Sequence, residues 1–476
     1  MTLHVAFLGG AGAIGASCVA VAGPDGWVVA DAGMQPAEAG GGMRLPRFDM
    51  LTGAPIAAIV ITHAHGDHCG ALPLLAALAP HAPIYASAAT QRLLPLMLGD
   101  SLARMQRTHA AGGPPPVWTR RELDQALARV RPLHPGMLTI VPGAPRTALR
   151  ASFSGHIVGA LAIGVRTPAG SVVISGDVGA PRQRTAPAPQ PPPFIGAALL
   201  ALEATYGDRN GADRSAEERR FTADVAACLA RGGHALIPAF ALGRAQEALC
   251  ILHAAARRGD LPPGTPICID GLAQRVAATY ARQPTGVHPA LATLLGDAHA
   301  DPFRAAPTRA VRSDAQRRAI LQGPPAVIIA GSGMLHGGAA AAYADALLDD
   351  PRSGIFLVGH LDAASPGAAL AAAANGDGML RRNGRMQRVR CQVARYALSA
   401  HADADALVAY ARAAAPRCTA LVHGDAAARA ALAQRLRAAG MEVFLPEDGA
   451  RWTAPRAATR GEAPSARRAA LKAAGR

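Results

Sequence analysis

Short apolar runs that end in glycine, aspartate or histidine recur through the first 205 residues. Three of them are WVVAD (residues 27–31), IAAIVI (56–61) and SVVISGD (171–177), and each has the nearly unbroken apolar character of a buried strand. Stretches with helical spacing separate them, and one begins at TRRE (119–122), the signature of a helix-capping box. The pattern predicts alternating strands and helices, with polar residues at the strand ends.

A second alternation of strands and helices follows from about residue 206. Ser215 and Glu218 form another candidate capping box, and the apolar runs HALIPAF (234–240) and PAVIIA (325–330) are typical of strands, the second leading into GSGM. Alternation of this kind is typical of α/β layering around a largely parallel sheet.

These patterns, together with a length of 476 residues, indicate more than one domain. We predict a core whose first part spans residues 1–205, an inserted α/β domain at 206–375, a return segment of the core at 376–455 and a basic, disordered tail at 456–476. Within the return segment, RNGR (382–385) is a candidate hairpin turn.

Composition argues against several classes of protein. The seven cysteines are odd in number and include no CxxC pair, so neither a disulfide framework nor a thiolate zinc site is indicated. No apolar run reaches the roughly 18 residues that a membrane-spanning helix needs, and the N-terminus lacks the features of a signal peptide. We therefore expect a soluble protein of the reducing cytoplasm that does not bind membranes.

The net charge of +15 is a weaker sign of a polyanionic partner than its size suggests. Lys472 is the only lysine, and an arginine bias of this kind can arise without function. The tail holds six basic residues and one acid, so five of the fifteen charges lie there and ten remain on the rest. Six arginines with no acid between them precede a histidine at position 401, namely Arg381, Arg382, Arg385, Arg388, Arg390 and Arg395. They would suit a phosphate backbone, but an exposed, arginine-rich hairpin explains them equally well.

The chemistry is concentrated in ITHAHGDHCGALPLL (61–75), directly after an apolar run. His63 and His65 lie two apart on a chain that is still extended, so both imidazoles can point the same way. Asp67 and His68, just past a glycine, can turn to a neighbouring point. One loop can therefore serve two metal ions about 3.5 to 4 Å apart. Nitrogen and carboxylate ligands without sulfur favour zinc, with manganese or iron as alternatives. The plain alternative is a polar loop that happens to be rich in histidine.

Four ligands do not complete two sites, so we expect further ones at other strand ends. Suitable residues do occur there: Asp31 in VVADAG, His156 in SFSGHIVGA, Asp177 in VISGDVG and His423 in ALVHGD. With them the chain resembles the metallo-β-lactamase superfamily, whose αββα sandwich collects metal ligands from loops along one edge of two sheets.

The resemblance extends beyond that core, to the β-CASP branch of nucleases related to the mRNA 3′-end cleavage factor and to bacterial and archaeal ribonucleases. Glu203 in LEATYGDR, His401 in LSAHAD and His423 in VHGD resemble three motifs of that branch. PAFALGRAQE (238–247) and GSGM (331–334) resemble segments of its inserted α/β domain.

The resemblance implies a role for each residue. Two zinc ions, or manganese in their place, would be held by seven ligands: His63, His65 and His156 for the first, Asp67, His68 and His423 for the second, and Asp177 as the bridge. Asp31 would orient the histidine loop by hydrogen bonding rather than bind metal.

The implied reaction is hydrolysis of a phosphodiester. Two dications lower the pKa of a shared water from about 15.7 toward neutrality, and the resulting metal-bridging hydroxide attacks phosphorus. The resemblance makes Asp67, Glu203 and His401 the catalytic residues, with His401 protonating the ribose 3′ oxygen and Glu203 holding its imidazole. The products would carry a 5′-phosphate and a 3′-hydroxyl. The plain alternative for His401 is a helix-start histidine beside Ser399.

Three features bear on the substrate. Relatives that process RNA carry a histidine at the position of His423, whereas relatives in DNA repair tend to carry an aliphatic residue. Aromatic residues make up only 4% of the chain, so extensive base stacking is not expected. Candidate phosphate contacts are Arg244, Ser332 and Gly333. The segment VGHLDAASPGAAL (358–370) departs from the tyrosine, acid and GTLGR of related ribonucleases and lacks their arginine.

We interpret the chain as a zinc-dependent ribonuclease with RNA as its substrate, and a homodimer is left open. A DNA nuclease of the same fold is the nearest alternative. A metallo-hydrolase for small molecules would lack Glu203, His401 and the large insertion. A non-catalytic RNA-binding scaffold should have lost several ligands, and none of the seven is missing.

Overall fold

A computed structural model describes residues 2–36, 42–51, 53–282, 285–376, 378–382 and 385–454. The tail predicted at 456–476 lies outside the described residues. Among the helices of the described ranges, none is both long and apolar enough to cross a membrane.

The first part of the core contributes strands β1 to β13 and helices α1 to α4. The strands are His4–Gly9, Cys18–Gly23, Gly26–Ala30, Gln35–Pro36, Met43–Arg44, Ile56–Val60, Ile84–Ala86, Val130–Pro132, Leu138–Val141, Ala144–Phe153, Leu161–Thr167, Gly170–Ile174 and Leu199–Glu203. The helices are Gly66–Cys69, Leu72–Leu78, Ala88–Ala110 and Arg120–Leu127, with a short 3-10 helix at Phe48–Met50. The capping box predicted for α4 is confirmed, since the Thr119 and Glu122 side chains each bond the other's backbone nitrogen.

The rest of the chain contributes strands β14 to β24 and helices α5 to α13. The strands are Ala235–Pro238, Ile267–Asp270, Thr308–Val311, Val327–Ala330, Gly354–Leu357, Met379–Arg382, Arg385–Arg388, Gln392–Arg395, Thr419–Val422, Val443–Phe444 and Arg451–Thr453. The helices are Arg214–Ala230, Arg244–Arg258, Leu272–Tyr280, Pro289–Leu295, Asp314–Gln322, Gly338–Leu347, Pro366–Asn375, Ala404–Ala414 and Ala426–Ala438.

Two seven-stranded sheets form the centre of the core. Their orders are β24-β1-β2-β3-β6-β7-β8 and β23-β22-β13-β12-β11-β10-β9. Phe7 and Val21 of the first sheet pack against Leu149, Ile163 and Leu199 of the second in one apolar cluster. Helices α1 to α4 cover the outer face of the first sheet, and α12 and α13 cover that of the second. The predicted αββα sandwich is confirmed.

The inserted domain is built on a third sheet of order β16-β15-β17-β14-β18-β21, in which every described pairing is parallel. Helices α5, α6 and α7 pack on one face, and α10 and α11 pack on the other. The predicted α/β insertion with a largely parallel sheet is confirmed. The last strand of this sheet, β21, lies beyond residue 375, where we predicted the insertion to end. The hairpin of β19 and β20 separates it from the rest of the insertion along the chain. We therefore propose that the insertion ends near residue 395.

Two local predictions have different outcomes. The hairpin is confirmed, with Arg382 opposite Arg385, although the turn residues themselves lie outside the described ranges. The capping box predicted from Ser215 and Glu218 is wrong. Asp213 caps α5 instead, accepting a hydrogen bond from the Ser215 backbone nitrogen at 3.0 Å, and the Glu218 carboxylate pairs with arginine side chains.

Candidate metal centre

The centre lies where several parallel strands end together. In the second sheet β12, β13 and β22 are parallel neighbours, and Asp177, Glu203 and His423 lie at or just after their carboxyl ends. In the first sheet β3 and β6 are parallel, and they lead into Asp31 and the histidine loop. Because parallel strands end at one edge of a sheet, residues far apart in sequence meet there.

Two of these strand-end residues have an uncommon backbone conformation. Asp31 has φ of 64° and His423 has φ of 51°, the left-handed region that residues other than glycine rarely adopt. Such conformations cost free energy and are often found at functional sites. In this chain they turn both side chains back toward the histidine loop.

Four of the candidate ligands form a first donor set around one point. His63 Nε2 lies 3.0 Å from His65 Nδ1, and His156 Nε2 lies 3.2 Å from the same atom. Asp177 Oδ2 lies 3.5 Å from His63 Nε2 and 3.4 Å from His156 Nε2. Ligand atoms about 2.0 to 2.1 Å from a tetrahedral zinc ion would lie roughly 3.3 Å apart, so this set fits such an ion.

The second donor set is adjacent and uses the other oxygen of the same carboxylate. Asp177 Oδ1 lies 3.2 Å from His68 Nε2 and 3.3 Å from His423 Nδ1, so the His423 ring presents one nitrogen to Asp177 and the other to Asp67. His423 Nε2 in turn lies 3.3 Å from Asp67 Oδ2. The structure thus brings all seven candidate ligands together and places Asp177 between the two sets.

Hydrogen bonds behind the ligands fix which ring nitrogen faces the centre. Asp31 Oδ2 accepts from His68 Nδ1 at 2.7 Å, and both of its oxygens also accept from Thr62. The backbone carbonyl of Leu242, in the inserted domain, lies 3.2 Å from His65 Nε2. Contacts of this kind set the tautomer and orientation of a metal-binding histidine.

Burial and nearby charges shift the pKa values of several candidate histidine ligands. Burial lowers the pKa of His63, His65 and His156, so each imidazole keeps a free lone pair at neutral pH. Burial opposes the charged form of His68 as well, but the charges of Asp177 and Asp31 outweigh it and raise the pKa of that imidazole. Two carboxylates, Asp31 and Asp177, thus supply negative charge next to His68 of the second set.

Two buried polar atoms without hydrogen-bond partners in the described part of the chain give a further test of whether the site fits a metal ion. His68 Nε2 and Asp177 Oδ1 lie 3.2 Å apart but are not aligned for a hydrogen bond, and neither atom has a hydrogen-bond partner among the described residues. Buried polar atoms are rarely left in this state unless an ion or water completes them. The donor set, its spacing and this pair all fit divalent metal.

A histidine and a glutamate lie next to the bridging carboxylate. His401 Nδ1 is 3.1 Å from Glu203 Oε1, and Glu203 also accepts from the backbone nitrogens of Val178 and Thr205. His401 Nε2 faces Asp177 Oδ2 at 3.9 Å. Backbone donors already use both Glu203 oxygens, which makes that carboxylate less available to a cation. The trio Asp177, Glu203 and His401 is nevertheless close enough together to form a third possible donor set.

The structure does not bring the three candidate phosphate contacts to the metal centre. Arg244 points inward, is 6% exposed and bonds the Leu398 carbonyl and the Gln183 side chain, so it has no free face for a substrate. The structure therefore does not support Arg244 as a phosphate contact. The sequence could not show this, because the partners of Arg244 lie far away along the chain. Ser332 and Gly333 lie in the loop after β17, and no described contact links them to the centre.

Sequence reasoning missed several residues that contact the site. Gln183 donates to backbone next to His156 and His401, and nothing in its sequence context indicates this. His360 lies in the segment that departs from related ribonucleases. Its Nδ1 is 3.4 Å from the hydroxyl of Tyr206, whose ring neighbours that of His401. The unusual sequence there was the only available signal.

Comparison with known proteins agrees with this architecture. Residues 11–205 match the model of the metallo-beta-lactamase superfamily, 245–370 match the Beta-Casp domain, and 386–446 match the Zn-dependent metallo-hydrolase RNA specificity domain. Ribonuclease TTHA0252 of Thermus thermophilus is 32% identical over 403 residues, which cover 82% of this chain and 86% of that protein.

Two further similarities have lower sequence identity. Transcription termination factor FttA of Methanocaldococcus jannaschii is 27% identical over 435 residues, which cover 89% of this chain and 67% of that protein. The crystal structure of a protein of unknown function from Enterococcus faecalis V583 covers 95% of this chain and 100% of that one, with a TM-score of 0.53 and 14% identity. A likeness at that identity bears on the fold alone.

An αββα sandwich with histidines and carboxylates gathered at one edge defines a metal-dependent hydrolase. The chain belongs to the β-CASP family of the metallo-β-lactamase superfamily, since its similarity to ribonuclease TTHA0252 extends over most of both chains. Membership implies a divalent metal, which the two donor sets fit.

The position of Asp31 behind the second set makes a testable prediction. Asp31→Ala removes the acceptor that orients His68, so metal affinity at the second set should fall by about 10- to 100-fold. The first set should weaken less, because among the described hydrogen bonds Asp31 reaches it only through Thr62, whose hydroxyl lies 3.1 Å from His63 Nδ1. Titration with a competing chelator measures both affinities. Asp25→Ala, which removes a surface carboxylate paired with Arg146, serves as the control. Unchanged affinity in Asp31→Ala would show that this carboxylate has no orienting role.

Proposed function

We propose that the protein is a metal-dependent ribonuclease that hydrolyses RNA phosphodiester bonds and leaves a 5′-phosphate and a 3′-hydroxyl. The observation that carries the proposal is the position of Asp177. Its two oxygens face different donor sets, and one of them also lies near the paired His401 and Glu203. That arrangement suits a reaction in which a phosphodiester is attacked on one side and its leaving oxygen is protonated on the other.

The donor sets would hold two divalent cations, with zinc favoured by the nitrogen-rich ligands and manganese as the alternative. His63, His65 and His156 would hold the first, Asp67, His68 and His423 the second, and Asp177 both. Such a pair lowers the pKa of a water molecule and offsets the negative charge of the phosphodiester.

His401 would act as the general acid. Burial lowers the pKa of its imidazole, but the charges of Glu203 and Asp177 outweigh burial and raise that pKa to about 9. The ring is then charged at neutral pH, and Glu203 occupies the Nδ1 side. The Nε2 proton is left to be transferred to the 3′ oxygen of the departing ribose.

RNA is the favoured substrate class. The Thermus thermophilus relative, which matches over 86% of its length, is named a ribonuclease. Residues 386–446 match a domain named for RNA specificity. We place the protein in the cytoplasm, in agreement with seven buried cysteines that are all free thiols.

Cleavage of matched RNA and DNA oligonucleotides tests the proposal. Purified protein is incubated with 5′-labelled strands of equal sequence, with zinc or manganese added, and in parallel with a chelator. We expect RNA to be cut to products with 3′-hydroxyl ends, DNA to stay intact, and the chelator to stop cleavage until metal is restored. Cleavage of DNA alone would establish a DNA nuclease instead, and RNA binding without turnover would establish a scaffold.

A further inference from the structure

Three consecutive backbone carbonyls directly before His401 each accept a hydrogen bond from a buried side chain. Arg244 Nη1 donates to Leu398 at 2.6 Å, Arg214 Nη1 donates to Ser399 at 2.9 Å, and Gln183 Nε2 donates to Ala400 at 3.4 Å. The three donors are between 3% and 8% exposed.

The segment that they hold is anchored at its two ends, where the Tyr396 nitrogen donates to Leu357 at 2.9 Å, the Ala397 nitrogen to Glu217 at 2.7 Å and the Ala402 nitrogen to Val178 at 2.8 Å. Residues 396–400 lie between β21 and α12 and belong to no helix or strand. Ala400 accepts from the Ala180 nitrogen at 2.7 Å, and Gly179 and His401 form an isolated bridge. Between these ends, the side-chain donors therefore supply much of what fixes the backbone leading into His401.

Gln183 connects this segment to a metal-ligand loop. Its amide also donates to the carbonyls of Gly155 at 2.7 Å and His156 at 3.1 Å, and its oxygen accepts from Arg244. One side chain thus contacts both the backbone that carries His156 and the backbone that precedes His401.

Both arginines belong to the inserted domain, and a carboxylate of that domain, Glu247, links Arg214 to the core. Glu247 of α6 pairs with Arg214 of α5 at 2.5 Å. It also accepts from the backbone nitrogens of Arg184 and Thr185 at 2.7 and 3.0 Å. Gly243, at the start of α6, has φ of 94° and lies so close to Ile157 that a Cβ there would be 2.7 Å from its side chain. The insertion is therefore locked against the loops of the site.

We propose that Gln183, Arg214 and Arg244 are positioning residues for His401, so that the inserted domain, through its two arginines, helps to place the general acid, while the metal ligands themselves belong to the core. The inference rests on the proposed ribonuclease function. No described hydrogen bond or ion pair joins the three side chains to the metal-binding atoms. Misplacement of a catalytic group by about 1 Å can cost roughly 10²-fold in rate, so the loss of one of these bonds is expected to lower turnover strongly.

The test uses two substrates that differ in their need for an acid. RNA has a poor leaving group, whereas bis(4-nitrophenyl) phosphate releases an anion that needs no proton. In Arg244→Ala, kcat on RNA should fall by roughly 10²-fold with little change in KM, while hydrolysis of bis(4-nitrophenyl) phosphate and bound metal stay near the wild-type level. Arg244→Lys should recover part of the loss, since an ammonium can still reach Leu398.

Gln183→Glu is a second variant, in case Arg244→Ala does not fold. It keeps the shape and the acceptor for Arg244 but loses the donor to Ala400 and also the donors to Gly155 and His156. Bound metal is therefore measured alongside, and kcat on RNA should fall more than hydrolysis of bis(4-nitrophenyl) phosphate does. The control is Arg129→Ala, whose guanidinium bonds the carbonyls of Ala76, Ala79 and Ala82 in the core. It should destabilise the protein but leave the ratio of the two activities unchanged.

Two results would overturn the inference. One is an equal fall of both activities together with loss of metal in Arg244→Ala and Gln183→Glu, which would mean that they support the ligand loop of His156. The other is an unchanged RNA rate per folded molecule. Failure of the proposed function looks different, because then the wild-type protein itself would not cleave RNA.

Discussion

Asp177→Asn is expected to reduce RNA cleavage to the background of the uncatalysed reaction and to release metal from both donor sets. Asp177 Oδ2 lies 3.5 and 3.4 Å from ring nitrogens of His63 and His156, and Oδ1 lies 3.2 Å from that of His68. The amide keeps the size of the side chain but removes the charge that both cations would share, and its NH₂ group would point at one of them. Metal content by mass spectrometry and cleavage of labelled RNA measure the two effects.

Asp270→Asn is the matched control for this change. Asp270 is also fully buried, but it lies in the inserted domain, where it pairs with Arg317 at 2.8 Å and accepts from the Tyr343 hydroxyl at 3.1 Å. We expect a loss of stability with both metals and RNA cleavage retained. A fully active Asp177→Asn with two bound metals would remove Asp177 from the site.

His401→Ala should separate metal binding from catalysis. One ring nitrogen bonds Glu203 and the other lies 3.9 Å from Asp177, so removing the ring deletes no atom of the two donor sets. Turnover on RNA should fall by about 10²- to 10⁴-fold, the contribution typical of a general acid, while two metals stay bound. Hydrolysis of bis(4-nitrophenyl) phosphate should change little, since its leaving group needs no proton.

His253→Ala is a suitable control, because His253 is a buried histidine of the inserted domain outside the site. It should leave the ratio of RNA to bis(4-nitrophenyl) phosphate hydrolysis unchanged. If His401→Ala instead lost a metal ion, the trio Asp177, Glu203 and His401 would be a ligand set and His401 would not be the acid.

Much of the fold could be predicted from sequence because the relevant signals are local. Buried strands leave apolar runs, capping boxes leave fixed spacings, and polar residues after such runs mark one sheet edge. The capping box at Ser215 failed because Asp213, a carboxylate two residues earlier, caps the helix instead. The sequence did not show that β21 pairs with β18 in the sheet of the insertion, because strand pairing across an intervening hairpin is not a local property.

The candidate site likewise contains residues that local sequence signals reveal and contacts that they do not. Candidate ligands were recognisable by residue type, and the structure brings them together. The inward turn of Arg244 depends on the Leu398 carbonyl, 154 residues away along the chain, and one contact of Gln183 is with Ala400, 217 residues away. No local pattern encodes such contacts, so the sequence offered Arg244 as a candidate phosphate contact and gave no sign that its side chain is buried.

The central claim is that one carboxylate, Asp177, joins two cations, and anomalous diffraction at the zinc edge tests it most directly. Crystals of the zinc-loaded protein should give two strong peaks. One should lie among His63, His65 and His156, and the other among Asp67, His68 and His423, with Asp177 between them. A single peak, or a peak among Asp177, Glu203 and His401, would contradict the claim.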